Sequence, residues 1–115
     1  MIWMNENDCP DILHIHAQQE WHQPAFVLGN KAGLLALRNT IDTAIQQGSG
    51  RVLAMTQDGE EYGIYVLMDD TDWQSESWKK AAVPYTEDAA MEQREEAVWP
   101  WNRKDLLGSN PTFFS

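Results

Sequence analysis

The chain predicts an α+β fold: an antiparallel sheet of about four strands in the order ββαββ, one long amphipathic helix packed on a face, and an irregular, partly helical acidic C-terminal extension. Three observations carry that expectation. Residues 12–17 alternate with a period of two, Leu13, Ile15 and Ala17 on one face and Ile12, His14 and His16 on the other. Leu34, Leu37, Ile41, Ala44 and Ile45 recur at helical spacing. Asp58-Gly59 stands between two β-prone runs, where both residues tolerate positive φ and form a hairpin turn. At 115 residues there is room for one compact domain. Its core is expected over 11–69, an acidic, Trp-rich extension over 70–101 and a loose tail over 102–115.

The elements follow in order. The alternating run at 12–17 is the first strand, and Pro24 introduces Ala25-Phe26-Val27-Leu28, a second short strand ended by Gly29 and paired with the first. Asn30 stands at the N-cap position, its side-chain carbonyl able to accept an early backbone N–H, and the helix runs to about Gln47. Gly48 is placed for the left-handed conformation just past the last turn. Arg51 to Thr56 and Glu61 to Met68 make the third and fourth strands around Gln57-Asp58-Gly59-Glu60. Beyond them Asp69-Asp70-Thr71-Asp72 reads as a turn, Trp73 to Lys80 as a short helical piece and Val83-Pro84-Tyr85 as extended. Thr86 caps a further helix that Trp99-Pro100-Trp101 terminates, and Gly108-Ser109-Asn110-Pro111 marks a loose end.

Charge is regional. The formal net charge is −10, and between Asp58 and Glu96 twelve carboxylates face three Lys/Arg. The same stretch, extended to Trp101, holds four of the six tryptophans. Such a surface repels phosphates, which excludes nucleic acid as a partner. It suits a basic protein, because Trp supplies contact area while carboxylates steer a cationic surface into place. Six tryptophans exceed what a four-stranded domain buries, so some are expected at the surface as interface anchors. The single Cys9 forms no intramolecular disulfide and has no zinc-type context. No basic region followed by an apolar run opens the chain, and no stretch reaches transmembrane length. A soluble, cytoplasmic protein without membrane partners is expected.

Candidate chemistry is thin. His14 and His16 share a strand face, and Glu20 and His22 follow closely, a set that could complete a metal site for a small metal-dependent enzyme or sensor. The pattern resembles the first metal-binding motif of cupins, but cupins have a second motif with another histidine, and no histidine follows His22 here. No metal or other cofactor is therefore expected. The carboxylate pairs Glu60/Glu61, Asp69/Asp70 and Glu95/Glu96 are adjacent, so their side chains diverge. No serine lies in a nucleophile elbow, and Gly48-Ser49-Gly50 follows a helix and precedes a strand, unlike a phosphate cradle. A binding protein, not an enzyme, is the expectation.

Leu13-His14-Ile15-His16-Ala17, Trp21, Pro24 to Asn30, Gly33 to Arg38, Asp58 to Tyr62 and Val83-Pro84-Tyr85-Thr86 together resemble small immunity proteins of bacterial polymorphic toxin systems, encoded beside Rhs-type and other toxins. The resemblance covers roughly residues 12–101, through packing and turn features. It implies a cytosolic antitoxin that binds one cognate toxin domain and occludes its active site, with an ADP-ribosyltransferase the preferred target and a nuclease the second. Combined with the charge pattern, it nominates Asp69, Asp70, Asp72, Trp73, Glu76 and Trp78 as the partner-binding surface. Trp99 and Trp101 form a second patch. An adaptor subunit docked on a constitutive partner is the remaining alternative.

Overall fold

The computed structural model describes residues 9–20, 22–84 and 97–108. The helix expected from Thr86, together with Trp21, Tyr85 and residues 109–115 of the expected tail, lies outside the described residues. The fold is α+β. Its elements run β1 (Leu13–His16), β2 (Phe26–Gly29), α1 (Lys31–Gln47), β3 (Ser49–Met55), β4 (Glu61–Leu67), α2 (Glu76–Lys80), a 3-10 turn (Pro100–Asn102) and α3 (Lys104–Leu107).

Helix α1 is bounded as its sequence dictates. Asn30 is extended, and its Oδ1 accepts the Gly33 N–H at 2.7 Å, satisfying one of the donors left open in the first turn. Gly48 takes φ +101°, and its N–H donates to the Ala44 carbonyl at 2.7 Å to close the last turn. The helix buries Gly33, Thr40 and Ala44, with Leu37 packed against the core cluster. Thr40 hides its hydroxyl by donating to the Ala36 carbonyl at 2.8 Å.

The four strands occur in the expected order, but they pair as two antiparallel hairpins, β1 with β2 and β3 with β4, instead of one continuous sheet. Among the described residues a single parallel bridge, Ile12 to Met55, joins the hairpins, with the Met55 N–H donating to the Asp11 carbonyl at 2.9 Å. Side chains explain why the ladder stops there. The Leu13 carbonyl, on the edge of β1 that faces the second hairpin, takes the Tyr62 hydroxyl at 2.5 Å. The Gln57 N–H turns instead to His14 Nε2 at 3.2 Å. With its inner edge served by side chains, a four-residue β1 diverges from β3 after one rung.

The core is small and sits between α1 and the hairpins. Leu13 is fully buried and meets Ala54 and Ile64, surrounded by Leu37, Val52, Tyr62 and Val66. The β3–β4 register runs from Ser49↔Leu67 to Met55↔Glu61, and Gly59, at φ +89°, makes the turn possible. On the outer face Arg51 lies 5.5 Å above the Tyr65 ring. Among the described residues no helix is long and apolar enough to cross a membrane.

Candidate partner-binding surface

The acidic loop begins where β4 ends. The Met68 N–H still donates to the Gly48 carbonyl at 2.9 Å, after which Asp69 turns the chain. Asp69 Oδ1 accepts from the Thr71 hydroxyl at 2.6 Å and the Thr71 N–H at 3.1 Å, a local turn that an aspartate side chain favours. The Thr71 hydroxyl sits 3.0 Å from those of both Ser75 and Ser77. The loop is therefore knotted to the start of α2 by its own hydroxyls.

Asp69 Oδ2 meets Arg103 Nη1 at 3.0 Å, and Arg103 also forks onto both oxygens of Asp105. The Asp69 side chain is only 7% exposed. Hydrogen bonds from the Thr71 hydroxyl, the Thr71 N–H and the Ser77 hydroxyl, joined by Arg103, hold its carboxyl well below the usual range. Asp105, then Asp69, raise the already basic Arg103 guanidinium further. Asp69 was nominated as a surface group, yet its carboxylate faces inward. It holds the loop and does not reach outward for a partner.

What the loop displays is different. Asp70, Asp72 and Glu76 are exposed, and Trp73, at its tip, is 76% exposed, an unusual state for the largest apolar side chain. Trp78, on α2, is 46% exposed. The chain from Ala97 returns alongside: the Ala82 N–H donates to the Val98 carbonyl at 2.8 Å and the Val98 N–H to the Lys80 carbonyl at 2.6 Å. That return brings the second patch to the first. Trp99 and Trp101 stack at 5.1 Å with planes 9° apart, on the 3-10 turn that Pro100 opens. Two mainly apolar grooves flank a ridge made by Ala82 and Pro100. One, of about 400 Å³, is walled by Trp78, and the other, of about 470 Å³, by Trp99 and Trp101.

The histidine set is not assembled. His14 and His16 share a face with ring centroids 6.2 Å apart, and His14 Nε2 is engaged by the Gln57 N–H. Among the described residues no three His, Cys, Asp or Glu side chains are grouped so as to hold a metal ion. Glu20 and His22 are thus not brought to the pair.

Sequence reasoning missed Arg103, which lies in the stretch expected to be a loose tail. It fixes the returning chain to the end of β4, and Leu107 in the following α3 is buried. An Arg two residues before an Asp carries no signal of a contact 34 positions away. No protein-family model, curated protein or solved structure matches the chain.

Proposed function

We propose that the chain is an immunity protein that binds a cognate bacterial toxin domain, an ADP-ribosyltransferase as the preferred target, and neutralises it by occluding the active site. The observation that carries this reading is Trp73, three-quarters exposed at the tip of a loop whose Asp70, Asp72 and Glu76 are also exposed. A ring held out among carboxylates costs solvation until a partner covers it, and suits a cleft that is basic because it binds phosphates. The resemblance to small immunity proteins supplies the class of partner. Inhibition by occlusion needs no chemistry from the inhibitor. The internal Asp69–Arg103–Asp105 network supports the mechanism by fixing the loop before binding, which lowers the entropic cost of association.

The test is co-purification of the chain with the product of the neighbouring toxin-like gene, followed by assay of the partner's activity alone and in complex. A stable complex with lost activity, weakened by Trp73→Ala, is the expected result. Absence of a complex, or a complex in which the partner remains fully active, overturns it.

A further inference from the structure

The free edge of the first hairpin carries a different surface. Strand β2 pairs with β1 on one side only, and among the described residues nothing pairs with its other edge. Phe26, Val27 and Leu28 are 61%, 51% and 65% exposed, so both faces of the strand and its edge are open. Beside it, α1 turns a second apolar stripe outward: Leu34, Ile41 and Ile45 are 44%, 40% and 59% exposed. These lie about a quarter-turn around the helix from the buried Gly33, Thr40 and Ala44. Leu34 reaches β2 itself, its Cγ lying 3.4 Å from where a Cβ on Gly29 would be, so the start of the stripe is continuous with the Val27–Gly29 face of the strand.

We propose that this surface is where two copies of the chain pair, β2 against β2 about a two-fold axis at Val27, making a four-stranded sheet β1-β2-β2-β1 across the dimer. Four observations fit a second copy. The first is hydrogen-bond parity. The Asn30 N–H donates inward to the Ile12 carbonyl at 3.1 Å, so alternation sends the backbone groups of His14–Leu28 and His16–Phe26 inward and those of Ala25, Val27 and Gly29 outward. Pro24, lacking an N–H, falls on the inward parity and leaves the outer ladder whole.

The second is register. An axis at Val27 sets Phe26 of each copy across from Leu28 of the other and Ala25 across from Gly29, pairs of matched bulk on each face.

The third is charge. Residues 23–29 carry no charged side chain in a protein of net charge −10, so the two strands can meet without setting like charges across from each other; the charged groups at the α1 stripe are Lys31, Arg38 and Asp42, of mixed sign. The edge also lacks the Lys or inward charge that natural edge strands use to block pairing.

The fourth is area. Six large side chains, each about half exposed, with Ile15 at 46%, amount to on the order of 600 Å² of apolar surface per copy. Two copies together therefore offer at most about 1,200 Å², the lower end of specific interfaces. The acidic loop lies outside this surface, so each copy retains its own Trp73 and the two proposals fail independently.

The test is the mass in solution of the full chain by light scattering and sedimentation across a wide concentration range, with two variants. Val27→Lys sets two like charges against each other at the axis and is expected to raise the dimer dissociation constant at least about a hundredfold. Because Val27 directs its N–H outward, the β1–β2 rungs survive, and circular dichroism checks that the fold is retained. Val27→Cys in a Cys9→Ser background is expected to give a covalent dimer on mild oxidation, since the axis sets the two positions opposite each other. A monomer at every concentration overturns the proposal. So does a dimer that Val27→Lys leaves intact, or one that Val27→Cys does not cross-link.

Discussion

The Asn30 side chain uses one oxygen to accept from both Gly33 and Ile12, while its amide nitrogen donates to the Pro10 carbonyl at 2.9 Å and contacts Cys9 Sγ at 3.5 Å. It therefore caps α1 and sews the chain before β1 onto the helix start. Asn30→Ala removes all of these and is expected to cost about 2 kcal/mol in urea unfolding, the upper end for a cap. Asn30→Asp keeps the acceptor and loses only the amide donor, so its loss is expected to be less than half as large; equal losses would show that the cap itself contributes nothing. Asp69 gives a prediction in pH. Its carboxyl titrates below the ordinary value of 3.8, so the folded state holds the charged form better than the unfolded chain does. The stability it contributes is complete above the ordinary aspartate value and is lost as pH falls from there through the lowered one. Asp58, lowered chiefly by the Thr56 hydroxyl, and Asp105, lowered chiefly by Arg103, act with the same sign. Asp69→Asn is expected to lower Tm at neutral pH and to flatten its decline on acidification below about pH 4. An acid decline parallel to that of the unaltered chain would refute this role.

At the scale of elements, the approach of α1 to the chain entering β1 turns on Gly33. A Cβ there would run into the carbonyl of Ile12, the residue just before β1, so the helix can approach the chain at that point only with glycine. Helix propensity alone favours Gly33→Ala by about 1 kcal/mol. The contact predicts the reverse sign: a lower Tm, with loss of amide protection in β1. A raised Tm would mean that the strand yields at no cost. Helix α1 and the β3–β4 hairpin were legible because their signals are local, in Asn30, Gly48 and Asp58-Gly59, and in side chains spaced to one face. The joining of the hairpins was not. Whether β1 continues along β3 depends on Tyr62 reaching the Leu13 carbonyl, a contact 49 positions apart that no periodicity records. The site divides the same way. That some tryptophans stand at the surface was readable from their number, but which of them do was not, and the inward face of Asp69 follows from Arg103, whose position the sequence leaves open. Acidity in sequence marked a region and did not distinguish the carboxylate that builds the loop from those that face solvent.

For the whole molecule, the separation of scaffold from display decides how binding should respond to charge. A net charge of −10 generates a long-range field that draws a basic partner in, and this field acts before contact is made. Asp70 and Asp72 lie at the exposed rim, where water screens each pair, so they are expected to govern encounter more than residence. Trp73 exerts no field, and the contacts of its ring exist only in the complex. The two kinds of residue should therefore separate kinetically. In stopped-flow or surface-binding measurements on the toxin complex, reversing Asp70 and Asp72 to Lys is expected to lower the association rate about tenfold at low salt and to reduce its decline with ionic strength. Trp73→Ala is expected to leave the association rate within about twofold and to raise the dissociation rate roughly thirtyfold, corresponding to about 2 kcal/mol. Asp69→Lys is not an equivalent charge test, because it breaks the Arg103 contact and releases the loop, so it is expected to slow association and speed dissociation together. If the Asp70/Asp72 reversal leaves both the association rate and its salt dependence unchanged while Trp73→Ala remains costly, the ring anchors the complex without electrostatic guidance, and the basic cleft assigned to the partner is wrong.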